Sequence, residues 1–432
     1  MPILFVAITA MLIQQTVATT AKVGIPSLIP AVARELHFDA ELVLLYTAFY
    51  AFISLLCMAG CGGVIRRFGA LRTSQFGCVL MGLGLALVPF ADSAVLAFLF
   101  LTLAASFISL GSTAATPASS QILAVYAPPK WAPLVFSIKL TGVPAGVVIS
   151  GLLLVPIAVT YGWRGALIGM AILCIFIAIM LQPLREHFDK DRDETARPRL
   201  NDFKDNLCDV LNHGERRELG LVAFSFVGMQ SIYMGFTITY LFEDLAYSLE
   251  EAGKIVGMAT VLAIPGRILW GWIGSTLVKP RLLMGLLALV MACSTSFMGA
   301  LEADWSRTAC LLVNSSVSLS VLSWHGVLLA EVARLAPVGE AGRVTGGVLA
   351  FGAIGQIIFP LLFGLGYWLG GYGFAFLIIS SISSNNLSSD KPDTDSLIPR
   401  WPKISEILPI PKHFFPDFIT LSHNVSIGGG DI

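Results

Sequence analysis

The sequence predicts an all-α integral membrane protein with eleven full transmembrane helices and a short, truncated twelfth. Three observations predict it. Of 432 residues, 56% are hydrophobic and 13% charged, with a mean hydropathy of +0.79, which leaves too little polar surface for a water-soluble chain of this length. The charges are uneven, absent from long stretches and crowded into one central segment. The apolar runs reach the roughly 17–25 residues that a hydrocarbon core of about 30 Å requires. Only helices or closed barrels satisfy the backbone in lipid, and these runs are too long for barrel strands.

The runs follow in order. Span 1 (3–33) lacks a basic n-region and outlasts the apolar core of a secretory signal, so it reads as a membrane helix. GGVIRRFGALR separates span 2 (42–65) from span 3 (71–91), and APPKW separates span 4 (93–126) from span 5 (131–158). YGWR leads into span 6 (163–183). After a charged segment come spans 7 (217–243) and 8 (250–275), then VKPR and span 9 (281–301), span 10 (307–335), APVGEAGR and span 11 (342–370). Gly, Pro and charge at these places mark turns. Beyond Gly370 an apolar stretch of about 14 residues rises only ~21 Å as a helix, short of a full crossing. The polar tail 385–432 is expected to be disordered or peripheral; a truncated or shifted frame and a genuine tail both remain open.

Orientation follows from lysine and arginine in the short loops. One set of loops holds Arg66, Arg67, Arg72, Lys130, Lys279, Arg281, Arg334 and Arg343; the opposite set holds only Arg34, Arg164, Lys254 and Arg307. The richer set is expected in the cytoplasm, together with the N-terminus and the segment 184–216, in a cell inner membrane. The organisation is then 1–183 as a six-helix bundle, 184–216 as a cytoplasmic central loop, 217–384 as a second bundle with an incomplete last helix, and 385–432 as the tail. A trace of repetition supports it: at one fixed offset Gly62 matches Gly271 and Arg72 matches Arg281.

Two six-helix halves, a charged middle loop and a Gly-led basic loop after span 2 resemble the major facilitator superfamily, from residue 1 to about 384. That family's loop has the loose form Gly-x-x-x-Asp-Arg/Lys-x-Gly-x-x-x-basic. Gly62, Arg67, Gly69 and Arg72 match it, while Arg66 stands at the acidic position. GVPAGVVISG with GWR, and SWHGVLLAEVARLAP, look like an uncharacterised bacterial branch. The resemblance implies alternating access between the two halves, with Gly62, Arg66, Arg67, Gly69 and Arg72, and Gly271, Arg281, Glu331 and Arg334 in the second half, as gating positions. Glu331 is a candidate counter-charge for the arginines after span 2. The same arginines would serve topology alone.

Charge inside the membrane is costly and usually faces a cavity or a partner. The spans carry three cations, Lys22, Lys139 and Arg267, and no mid-membrane Asp or Glu. In the resembled fold, spans 1, 5 and 8 border the central cavity. Together the cations would suit a small anion; snorkelling is the alternative for Lys139. Lys22 lies beside Gly24 and Pro26, where a broken helix would free backbone groups. His325 is a candidate proton carrier, or a neutral packed histidine. Gln230 and Tyr233, with Gln14, Gln15, Thr16, Asn314 and Trp324, are candidates to line the path or to join helices. Gly142, Pro144 and Gly146 allow close packing and bending in span 5.

The expected function is secondary transport of a small organic anion or metabolite, coupled to protons carried by His325 or Glu331, with uncoupled uniport left open. The alternatives are a drug or metabolite efflux permease and a non-functional truncated transporter. Enzyme classes find no support, since GxxxxGK[ST], HExxH and GxSxG are all absent. No cofactor or metal is expected, and the seven cysteines read as small buried hydrophobes. The expected partners are the substrate, protons and membrane lipid, without nucleic acid, and the expected state is a monomer.

Overall fold

The computed structural model describes residues 2–37, 42–190, 192, 193, 195, 196, 202–302 and 304–384. The tail 385–432 lies outside the described residues. Every regular element among them is helical: α1 (Pro2–Leu36), α2 (Leu42–Phe68), α3 (Ala70–Leu87), α4 (Ala94–Tyr126), α5 (Ala132–Leu140), α6 (Gly142–Ile149), α7 (Val155–Met180), α8 (Arg185–Phe188), α9 (Asp202–Asn212), α10 (Gly214–Glu243), α11 (Leu249–Val261), α12 (Ala263–Thr276), α13 (Pro280–Gly299), α14 (Arg307–Val321), α15 (His325–Leu335) and α16 (Ala341–Ser384).

Ten helical stretches are long and apolar enough to cross a membrane. Two are over-long, Pro129–Phe188 and Ala341–Ser380. The first contains Gly162 at φ 78°, at the YGWR break, and the second Gly371 at φ 77°. Each therefore joins two helices, giving ten to twelve helices of membrane length. The protein is a multi-pass integral membrane protein, and its periphery is apolar: Phe5, Phe90, Val95, Val159, Leu361 and Trp368 are all exposed, as lipid contact requires.

The segment after Gly371, 372–384, rises about 20 Å, but it is packed. Ala375, Phe376 and Ile379 are buried in an apolar core with Phe359 and Phe363, and Tyr372 donates to the Glu243 carboxylate at 2.8 Å. That core is drawn entirely from residues 210–379. A second is drawn from 17–178. A third joins residues of the first half to Leu329, Ala330 and Leu349.

Ion pairs divide the molecule into two ends. At one lie Arg66–Asp193 (2.8 Å), Arg216–Asp209 (2.7 Å), Arg343–Asp209 (3.1 Å) and Arg281–Glu215 (2.7 Å). At the other lie Arg164–Glu35 and Arg307–Glu251. Glu35 also accepts from the Trp163 indole at 2.6 Å, and the bonds from Arg164 and Trp163 hold its carboxyl below the usual range. The arginines of each end are those of one loop set, so the first is called the basic end below. There the Thr195 hydroxyl and backbone N–H, then Arg66, hold the Asp193 carboxyl down at about 2.

The turn between α2 and α3 is built around a residue that hydropathy does not flag. Gly69 has φ 93°, which a residue without Cβ adopts at low cost. A Cβ there would also run into the Asp189 side chain. Asp189, buried beyond α8, accepts from the backbone N–H groups of Leu71 (2.7 Å) and Arg72 (3.0 Å), two donors that the first turn of α3 leaves open. Asp189→Ala is expected to cost about 1–2 kcal/mol, read as a lower melting temperature in detergent, with Asp189→Asn losing less.

Three crossings are interrupted near mid-length: at Thr141 between α5 and α6, at Leu262 between α11 and α12, and at Leu322–Trp324 between α14 and α15. Pro144 and Pro265 account for the first two, because proline lacks the N–H that the carbonyl four residues earlier would accept. At the third, the Trp324 indole donates to Val321 O at 2.9 Å and Ser323 donates to Ala263 O at 3.3 Å. The expected break in helix 1 is corrected: α1 runs unbroken through Gly24 and Pro26. Pro26 strands Lys22 O, and Ser27 donates to the neighbouring carbonyl, Val23 O, at 2.8 Å.

Candidate functional site

The three interruptions bring the interior cations together. Lys139, on the last turn of α5, is 1% exposed, and Arg267 on α12 is 3% exposed. The Lys139 ammonium donates to Gln15 Oε1 at 2.7 Å, which also accepts from Thr116 at 3.3 Å. Arg267 Nη1 donates to Leu140 O at 2.7 Å, the carbonyl that Pro144 leaves without its helical partner. Arg267 therefore binds the backbone beside Lys139, and the two cations repel one another.

His325 opens α15 and stacks on Trp324, with ring centres 3.7 Å apart. The charges acting on it are Arg267, Lys139 and Lys22. Lys22 is exposed, and its ammonium lies 5.3 Å from the Tyr50 ring centre. No carboxylate pairs with Lys22, Lys139 or Arg267 among the described residues. Buried polar atoms without a hydrogen-bond partner there include Arg267 Nε, His325 Nδ1 and both amide atoms of Gln14. Buried groups of this kind normally find partners, so this interior has unused donors around a surplus of positive charge.

Gln230 and Tyr233 are placed differently. Tyr233, on α10, donates to Asn314 O at 3.4 Å, and Gln230 Oε1 is buried without a partner. No hydrogen bond among the described residues joins either to the cations. Gly142 and Gly146 face α1, where an added Cβ would come within 2.9 Å of Leu12 O and 2.6 Å of Thr16 O. Pro144 is buried between them.

The halves meet at the basic end. Gly62 of α2 lies under Arg343 of α16, within 2.6 Å of Cγ for an added Cβ. Gly346 lies against Met58 O, and Gly271 and Gly326 both lie against Ser137 of α5. The helix α9 straps the joint: Asn206 Nδ2 donates to Ala59 O and to Arg343 O, each at 3.0 Å.

Glu331 is not a counter-charge for the arginines after α2. It is buried and paired with Arg281 at 2.8 Å and Arg334 at 2.7 Å, all within the second half. Arg66 instead takes Asp193, Arg72 donates to Gln75 (3.2 Å) and Gln182 (3.3 Å), and Arg67 has no ion pair among the described residues. Glu331→Gln would leave two arginines facing one neutral amide. Both reach water, so a cost of about 2–3 kcal/mol is expected, measured as a fall in melting temperature. Ser137, Asp189, Asn206 and Asp209 were not singled out by the sequence. Serine flanked by apolar residues and acids in a charged loop carry no distinctive signal.

The profile of the Major Facilitator Superfamily matches residues 8–360. The chain belongs to the major facilitator superfamily. Its fold is that of secondary transporters working by alternating access, and not of an enzyme. Among curated proteins none matches. Solved structures similar to this superfamily member include FucP in the outward conformation (TM-score 0.69, 14% identity, 87% of this chain and 96% of that chain). The human organic anion transporter TETRAN superposes with TM-score 0.68 at 16% identity, over 87% of this chain and 97% of its own. The proton:xylose symporter XylE gives 0.68 at 15% identity, over 88% and 93%.

Proposed function

We propose that this superfamily member moves a small organic anion across a cell inner membrane, as a monomer, by alternating access between two six-helix bundles, 1–183 and 217–384. The reading rests on one observation: Lys139 and Arg267 are buried side by side with neutral partners only. Burying unpaired cations costs several kcal/mol, and an anion bound between them offsets that cost. An organic cation would add to it. With the basic end in the cytoplasm, the close contacts of Gly62, Gly271 and Gly326 support an outward-facing reading of the described form, and the short segment 372–384 supports a twelfth crossing that stops short. The packed segment 372–384 favours a folded, working transporter over a truncated remnant.

Proton coupling falls to His325, because Arg281 and Arg334 already neutralise Glu331. His325 adjoins the cations and carries an unpartnered ring nitrogen, so a bound anion would favour its charged form. Lys22, on the exposed approach, would draw the anion in, and Gln230 and Tyr233 would border the path. A thermal-shift screen of the purified protein against organic acids and organic cations tests the reading. Stabilisation by an acid supports it, since ligand binding to the native state raises the melting point; stabilisation by cations alone refutes it.

A further inference from the structure

A charged cavity lies at the basic end, away from the interior cations. It has a volume of about 1210 Å³ and is lined from both halves, by Lys130 and Phe136 of the first and by Lys279, Arg281, Leu282 and Arg334 of the second, with Glu215 and Glu331. The acids are already used: Glu215 pairs with Arg281, and Glu331 with Arg281 and Arg334. Lys130 and Lys279 remain. Both are exposed, they come from opposite halves, and neither has a carboxylate partner among the described residues. Lys130 is held over the Trp131 ring, 5.6 Å from its centre.

The rim is apolar where the cavity meets the molecule's flank. Leu277 is 66% exposed and Leu282 47%; Trp131, adjacent in the chain to the lining residues Lys130 and Ala132, is 38% exposed, and tryptophan favours the depth of lipid headgroups. Two unpaired lysines over an apolar rim match a singly charged phosphodiester that carries acyl chains. A free phosphate would use the lysines and leave the rim bare. The cavity also borders the joint where α5 packs on α12 and α15 through Ser137, Gly271 and Gly326. That joint must part when this end opens.

We propose that this cavity seats the headgroup of an anionic phospholipid, its phosphate between Lys130 and Lys279 and its chains on Leu277, Leu282 and Trp131, and that the lipid holds the basic end closed. Anionic lipid attracts such clusters by about 1 kcal/mol per basic residue, so two lysines give about a tenfold to thirtyfold preference over a zwitterionic lipid.

The test uses the full chain in detergent, titrated with phosphatidylglycerol, phosphatidylcholine or soluble glycerol 3-phosphate. Native mass spectrometry reads bound lipid and a thermal melt reads its effect. The expected result is retention of phosphatidylglycerol and a raised melting temperature, with neither from the other two. Lys130→Gln and Lys279→Gln each weaken the response and together abolish it, while Lys254→Gln at the opposite end leaves it intact. If the double variant does not fold, the single variants decide. Equal retention of phosphatidylcholine, an undiminished response in the lysine variants, or stabilisation by glycerol 3-phosphate alone would overturn the proposal.

Discussion

Replacing Lys139 with methionine is expected to raise the melting temperature while weakening anion binding about 10- to 100-fold. The two effects share one cause. In the described form the ammonium is buried with a neutral amide as partner, so an apolar side chain of similar length removes an uncompensated charge. Such replacements are neutral or stabilising, by about 1–3 kcal/mol. With an anion present, the same charge supplies a charge-assisted hydrogen bond of about 1.5–3 kcal/mol, which the variant lacks. A snorkelling anchor behaves otherwise: its loss lowers stability and leaves binding alone. Thermal melts with and without a stabilising acid, in wild type and Lys139→Met, separate the two. A variant both less stable and equally able to bind would sink the site reading.

Gly326→Leu is expected to drive the protein out of the described form. An added Cβ already collides with the backbone of Ser137, and the crowding falls between halves that have to separate in any case. Overpacking costs about 1–3 kcal/mol or more, here borne only by the closed basic end, so the population shifts about 10- to 100-fold toward its opening. The chain carries its own reporter. Cys61 is buried beneath α16, with Gly346 against it. Its labelling by maleimide, followed by peptide mass spectrometry, should accelerate by the same factor. Cys208, on α9 outside the membrane spans, is exposed and serves as an internal control. Continued protection of Cys61 in the variant would show that the glycine is not what lets the end close.

The helices were legible because lipid imposes a single demand, apolar length, and hydropathy reads it directly. The YGWR and GGYG breaks fell on Gly162 and Gly371 for the same reason. The interior cations were legible as costly exceptions. Their partners were not, because pairing depends on helix rotation and on contacts far apart in sequence. Pro144 is visible as a proline, yet nothing in the sequence says that Arg267, 127 positions from Leu140, takes the carbonyl that it strands. Glu331 was the available acid near the basic loops, but α13 brings Arg281 to it first. At Pro26 a proline signals a break, yet α1 stays helical through it.

If the cations form the proposed anion site, the bond from Arg267 to Leu140 O also sets a threshold for what that site accepts. The guanidinium already has a partner, a backbone carbonyl. A neutral sugar or amide offers an oxygen no better than the one it must displace, so the exchange gains nothing. A carboxylate or phosphate offers a full charge and displaces the carbonyl downhill. Under the proposed reading, the defect in α5 would work as a built-in competitor that disfavours uncharged molecules. The carbonyl it gives up is then left bare at the turn where that crossing is already interrupted.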